Sequence, residues 1–138
     1  MSEPVIAMQD SNKFALFEAS NVYKIKENNQ YLILIEAFGP EGRYFRSWTA
    51  SNIAGPYNQL AANQSNPFAA ASNKFPSSNA WTKSISHGEM IRSGVNQKLE
   101  ISSCRMQYLY QGVDPNAVGD YDCLPWRLGL LTQTNSNC

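Results

Sequence analysis

The 138-residue chain lacks several features that would assign it to a simple class. It has no run of about 18 apolar residues, so no membrane-spanning helix is predicted. Eleven basic residues balance eleven acidic ones and are scattered, which argues against nucleic acid or an anionic membrane as partner. The start, MSEPVIAMQDSNK, lacks the charged-then-apolar order of a signal peptide. The length predicts one domain at most.

Cysteine is also scarce. The three cysteines, Cys104, Cys123 and Cys138, are an odd number and lack the spacing of metal ligands, so a zinc site is not predicted. The sequence is compatible with one disulfide and leaves its partners open.

Short β-forming segments recur along the chain, and no segment has a helical stripe. Asn21–Lys26, Tyr31–Ala37 and Arg43–Thr49 are separated by the turn-prone tetrads ENNQ and GPEG, which predicts an antiparallel meander. The second segment is apolar enough to be buried on both faces. Further strand signals lie at Trp81–Ser86, Glu89–Ile91, Leu99–Ser102, Met106–Tyr110 and Arg127–Thr132.

Between the two groups of strands, residues 51–80 are rich in Asn, Ser, Ala, Gly and Pro and predict a long connecting stretch. Two meanders separated in this way favour blades of a propeller over a sandwich or a barrel. Blades pack on neighbours around a closed ring, so two alone would expose faces that need partners. The chain is therefore predicted to be all-β and incomplete as a stand-alone domain.

Six strings, collinear from about Val5 to Asn135, resemble glycoside hydrolase family 62, the α-L-arabinofuranosidases. They are Leu16–Lys24, Gly42–Thr49, Ser65–Ala69, Ile85–Arg92, Leu109–Gly112 and Leu128–Thr134. The resemblance implies the last two blades of a five-bladed β-propeller, at about residues 14–60 and 80–135. It also implies a secreted monomer that removes L-arabinofuranosyl side chains from arabinoxylan or arabinoxylo-oligosaccharides, with inversion.

The family uses a general-acid Glu and two Asp residues. Glu18, in the string LFEAS, matches the acid, whereas both aspartates belong to earlier blades. An inverting glycosidase needs a second carboxylate to activate water. The isolated chain is therefore predicted to be inactive. The alternatives are a non-catalytic carbohydrate-binding remnant and a truncated product that does not fold stably.

The resemblance assigns further roles. His87 matches a ligand of a structural calcium ion at the propeller axis, and the chemistry itself needs no cofactor. Tyr121 matches a tyrosine near the arabinose pocket. Asp122 beside it and Arg46 are candidate substrate-binding residues, although Arg46 could equally form an ordinary salt bridge. The family usually has Asp where Ser84 stands. The missing Asp carboxylate is expected to weaken a hydrogen bond beside His87.

Two other glutamates are candidates for the site. Glu36 lies inside an apolar run, and we interpret it as a residue at the end of a strand. Glu89, in the string HGE, is interpreted as a group behind the site.

Overall fold

The computed structural model describes residues 3–73, 80–136 and 138, and it confirms the all-β prediction for them. The strands are β1 (Glu18–Ile25), β2 (Tyr31–Gly39), β3 (Gly42–Ala50), β4 (Asn58–Asn63), β5 (Asn66–Pro67), β6 (Ser86–Met90), β7 (Glu100–Ile101), β8 (Gln107–Gly112) and β9 (Arg127–Thr132). The helices of this part are 3-10 turns at Ala71–Asn73 and Tyr121–Cys123. None of them is long or apolar enough to cross a membrane.

The predicted meander of β1, β2 and β3 is confirmed, with antiparallel pairing throughout. In the first turn Asn29 adopts a left-handed conformation (φ 57°), and the Asn28 side chain accepts a bond from the Gln30 N–H (3.1 Å). The second turn ends at Gly42, whose φ of 105° favours a residue without a side chain. As predicted, β2 is buried on both faces, from Leu32 to Ala37.

Two predicted boundaries are wrong. The stretch expected to connect the two meanders contains β4, which pairs with the edge of β3. Its sequence, NQLAAN, has no strand period, so the strand comes from this pairing and not from its own propensity. The separate strands expected at residues 81–86 and 89–91 are instead one strand, β6, which begins at Ser86 and ends at Met90. Before it, the buried Thr82 hydroxyl instead donates to the carbonyl of Ser84 and accepts from the Val113 N–H.

The strands form two sheets. The first has the order β5-β4-β3-β2-β1-β7, and the second has the order β6-β8-β9. β7 pairs in parallel with β1 although it follows β6 in the chain, so it ties the second half to the first sheet. The main core is shared by side chains of both sheets, among them Tyr23, Leu32, Leu34, Phe45, Ile85, Met90, Tyr108 and Tyr110.

Candidate active site

Two carboxylates meet where β1 begins. Glu18 lies opposite Glu36 of β2 in the antiparallel register, and like charges at such positions repel each other. Arg43 of β3 compensates them, because its Nη1 donates to Oε1 of Glu18 and to Oε1 of Glu36 (2.5 Å for Glu36). The carboxylates of Glu18 and Glu36 thus share the guanidinium of Arg43. We call these three side chains the Arg43 cluster.

Aromatic rings surround the guanidinium of Arg43. Its central carbon lies 5.2 Å from the ring centre of Phe17, 5.9 Å from that of Phe38 and 5.5 Å from that of Tyr121. Burial acts to lower the pKa of Arg43, but the hydrogen bonds that it donates to Glu36 and Glu18 outweigh this effect and raise the pKa above its ordinary value. Arg43 is therefore a permanent cation of the site.

Glu36 connects the first sheet to the second. Its side chain is fully buried and accepts bonds from the Ser86 hydroxyl (3.2 Å to each oxygen) and from the His87 N–H (2.8 Å to Oε2). The interpretation of Glu36 as an end-of-strand residue is wrong, because β2 continues beyond it to Gly39. A charged side chain in a strand that is buried on both faces needs hydrogen-bonding partners. The sequence signal for such a role was therefore the position of Glu36 inside an apolar run.

Arg43, unlike Glu36, was not among the candidate site residues of the sequence. In the β2–β3 hairpin Glu36 lies opposite Phe45, so Arg43 is its diagonal neighbour on the same face. Once Glu36 is known to be buried, this register makes Arg43 the nearby cation that can compensate it.

His87 lies beside the Arg43 cluster, at the start of β6. Its Nδ1 is 2.8 Å from the Ser86 hydroxyl and 3.8 Å from Oε2 of Glu36, and its side chain is half exposed. Its φ of 31° is rare for a residue with a side chain, and the bond from its N–H to Glu36 helps to hold it.

Glu18, Glu36 and His87 bring ligand atoms within 4.8 Å of one another. They do not fit a calcium ion held by all three, because calcium takes six to eight oxygen ligands. The Glu36 oxygens already accept from Arg43, Ser86 and the His87 N–H, and the Arg43 charge would repel a cation there. A calcium ion bound by His87 at the propeller axis stays a prediction of the family resemblance.

The structure brings Tyr121 to the Arg43 cluster. Tyr121 begins the second 3-10 turn, and its ring is 47% exposed while lying against the guanidinium. Trp126 supports it, with ring centres 5.2 Å apart and the indole N–H donating to the Tyr121 carbonyl (3.2 Å). Asp122 follows in the same turn and is exposed.

Arg46 is not brought into the cluster. Arg43 and Arg46 are three residues apart on β3, so their side chains lie on opposite faces of the sheet. The Arg46 guanidinium donates to the carbonyls of Ala62 and Ala15 (2.6 Å each) and lies 3.5 Å from Asp10. These contacts fasten the N-terminal segment to β4 and give no support to a role in substrate binding.

The Ser84 hydroxyl accepts a hydrogen bond from the backbone N–H of Arg43 (3.1 Å). The expected effect of the missing carboxylate on a hydrogen bond beside His87 stays a prediction. Glu89 accepts from the Asn21 side chain (2.7 Å). Burial raises the pKa of the neighbouring Tyr23 to about 12, and the charge of Glu89 adds to the effect.

The fold and the site define an all-β protein in which a partly exposed carboxylate, Glu18, and a fully buried one, Glu36, share one arginine. The sequence model of glycosyl hydrolase family 62 matches residues 2–132. Alpha-L-arabinofuranosidase C of Cellvibrio japonicus (strain Ueda107) is 45% identical over 117 residues, which are 84% of this chain and 19% of that protein.

Solved structures agree with this assignment. The catalytic domain of the Coprinopsis cinerea GH62 alpha-L-arabinofuranosidase has a TM-score of 0.92 and 64% identity, and the match covers 99% of this chain and 44% of that one. The Podospora anserina alpha-L-arabinofuranosidase PaAbf62A, solved in complex with cellotriose, has a TM-score of 0.90 and 51% identity, and the match covers 100% of this chain and 43% of that one. A GH62 hydrolase in complex with xylotriose has a TM-score of 0.86 and 52% identity, and the match covers 96% of this chain and 42% of that one.

The chain belongs to glycosyl hydrolase family 62, as the resemblance predicted. Its two sheets are part of a β-propeller, the fold of this family. It spans less than half the length of these solved domains and about a fifth of the curated relative.

Proposed function

We propose that Glu18 is the general acid of an α-L-arabinofuranosidase that removes arabinofuranosyl side chains from arabinoxylan with inversion. The observation that carries the proposal is the difference between the two carboxyls of the Arg43 cluster. The Glu18 side chain is 37% exposed and its partner Arg43 contacts the Tyr121 ring, whereas the Glu36 side chain is fully buried. A general acid has to reach the leaving oxygen, and Glu18 alone of this pair can do so.

Glu36 does not qualify as the base. An inverting base needs a separation of roughly 6.5 to 9.5 Å from the acid, with room for water between them. Glu18 and Glu36 bind the same Arg43 nitrogen, their ligand atoms lie within 4.8 Å, and Glu36 has no access to solvent. The family resemblance assigns the base to an aspartate of an earlier blade, and on that basis we expect the 138 residues alone to release no arabinose.

The test uses a chimera in which this chain replaces the matching part of the Coprinopsis cinerea catalytic domain. The chimera should release arabinose from arabinoxylan, and Glu18→Gln should lower the rate at least about 100-fold. The matched control is Glu41→Gln, an exposed turn residue, which should leave the rate unchanged. NMR of the first product should show inverted configuration, and retained configuration would exclude the mechanism.

The second candidate is a carbohydrate-binding remnant without catalysis. It is favoured by the exposed Tyr121 side chain and by the complete burial of Glu36, the second carboxylate of the Arg43 cluster. In that case the chimera would release no arabinose, and arabinoxylan binding would be weakened by Tyr121→Ala and unchanged by Glu18→Gln.

The remaining properties are proposals from the family. Arabinoxylan and its oligosaccharides are the proposed substrates, and the complete enzyme is proposed to be a secreted monomer, since xylan cannot enter a cell. A structural calcium ion at His87 is proposed on the same basis and is given no part in the reaction.

A further inference from the structure

The hairpin of β4 and β5 carries the motif Asn63-Gln64-Ser65, the one Asn-X-Ser/Thr sequon of the sequence. Such a motif accepts an N-linked glycan when its middle residue is not proline, and it then belongs on a surface turn. Asn63 pairs with Asn66 across the hairpin, so Gln64 and Ser65 form its two-residue loop. Asn63 and Ser65 are both exposed. The motif therefore lies where a glycan can be carried.

The loop holds the Asn63 side chain by its oxygen. Oδ1 accepts a hydrogen bond from the Ser65 hydroxyl (2.7 Å) and another from the Asn66 N–H (2.8 Å). Neither bond uses Nδ2, the nitrogen to which an N-linked glycan is attached. Gln64, in contrast, is partly buried and packs against Gly39, where an added Cβ would collide with it. The loop thus turns its middle residue inward and exposes the two residues on either side of it.

The hairpin also lies at the edge of the first sheet that is farthest from β1. The strand order β5-β4-β3-β2-β1-β7 and a spacing of about 4.8 Å put β4 roughly 14 Å from β1. Propeller blades are arranged radially, so one edge of a blade faces the central channel and the other faces the rim. β1 begins at the Arg43 cluster beside His87, which the family resemblance places at the axis. On that basis the hairpin lies at the rim, where further blades would not cover it.

We propose that Asn63 is an N-glycosylation site of this protein. Nδ2 of Asn63 forms a bond to the anomeric carbon of the first sugar of a lipid-diphosphate-linked oligosaccharide. The bond from that carbon to the phosphate oxygen breaks, the lipid diphosphate leaves with the electron pair, and Nδ2 loses one proton. An oligosaccharyltransferase of the secretory pathway catalyses the transfer. The proposal rests on the proposed secretion of the enzyme and is independent of catalysis at Glu18.

The test is expression of the full chain in yeast behind a cleavable secretion leader. The secreted chain should run as a slower band on a denaturing gel, and peptide N-glycosidase should abolish the shift. In heavy-oxygen water this treatment converts the glycosylated asparagine to labelled aspartate, which mass spectrometry should locate at Asn63. Asn63→Gln and Ser65→Ala should each lose the shift, whereas Ser65→Thr should keep it because threonine also completes the motif.

Two controls make the result decisive. Asn66→Gln, also exposed but outside the motif, should keep the shift. Asn63→Gln/Leu60→Thr moves the sequon to the exposed Asn58 of β4, so its glycosylation shows that the chain entered the pathway. An unmodified Asn63 in the original chain, beside a modified Asn58 in this variant, overturns the proposal. Because the leader supplies entry and no arabinose release is measured, this failure is distinct from a failure of the role of Glu18.

The rim position is tested in the chimera with the Coprinopsis cinerea domain, expressed in the same way. Peptide N-glycosidase should remove the Asn63 glycan from the native chimera as completely as from the denatured one. A chimera that is not glycosylated at Asn63, or whose glycan is released only after denaturation, would show that the rest of the propeller covers the hairpin. Either result overturns the assignment of Asn63 as a surface glycosylation site.

Discussion

The buried negative charge of Glu36 is satisfied by three donors from two strands, β3 and β6. Arg43 of β3, the Ser86 hydroxyl and the His87 N–H all bind its carboxylate. An unpaired charge in the interior costs several kcal/mol, so these donors must be in place whenever the two sheets close. One residue thereby fixes both the seam between the sheets and the position of Arg43 against Glu18.

Replacing Glu36 with alanine should lower the free energy of unfolding by about 3–5 kcal/mol, because it leaves the part-buried Arg43 short of one of its two carboxylates and removes the acceptor of the His87 N–H. Glu36→Gln should cost less, since its amide oxygen can still accept from Ser86 and His87. Urea denaturation followed by circular dichroism measures both changes.

Glu41→Ala is the matched control, because this glutamate is exposed in the β2–β3 turn. It should change the free energy of unfolding by no more than about 0.5 kcal/mol. If Glu36→Ala were as mild as this control, the role assigned to the buried carboxylate would be wrong.

At the scale of elements, local chemistry predicted the strands whose own sequence carries the pattern. β1, β2 and β3 have β-forming residues and strong turns, and all three were found. β4 was missed because its strand state depends on the edge of β3, and the parallel pairing of β7 with β1 has no local signal at all. The same dependence on non-local pairing applies to the site. Glu18 was found by the family resemblance, whereas Arg43 was recognised only from the pairing of β2 with β3 in the structure.

One contact between elements should respond to pH. Glu27, in the β1–β2 turn, accepts from the Ser102 hydroxyl (2.6 Å) and from the Ser103 N–H (2.9 Å), which follow β7. These hydrogen bonds lower the pKa of Glu27 from 4.5 to about 2, and the bond from the Ser102 hydroxyl has the largest effect. A lowered pKa in the folded state means that the contact stabilises the fold above about pH 4.5 and is lost as the pH falls toward about 2.

Glu27→Gln should therefore reduce the dependence of Tm on pH between these two values, because the variant has no carboxylate to protonate. Tm would be measured by circular dichroism at steps across this range for the original chain and the variant. Glu41→Gln should keep the original slope. Parallel curves for Glu27→Gln and the original chain would show that the contact contributes nothing to stability.

At the scale of the whole molecule, a disulfide joins the C-terminal residue to the segment between β7 and β8. Cys104 and Cys138 are bonded with their Cα atoms 5.5 Å apart, and Cys123 is free and exposed. The sequence left the pairing open, because three cysteines allow three pairs and only the folded positions of β7, β8 and β9 decide among them. The bond encloses β8 and β9, two of the three strands of the second sheet.

Removing this bond with Cys104→Ser/Cys138→Ser should lower the free energy of unfolding by about 3–4 kcal/mol, since a closure over 34 residues restricts the unfolded chain. Urea denaturation with and without reductant measures the effect, and the reduced original chain should match the double variant. Cys123→Ser, the control, should keep the original stability because its thiol is exposed and unbonded. Equal stability of the oxidised and reduced chains would show that the disulfide does not hold the second sheet.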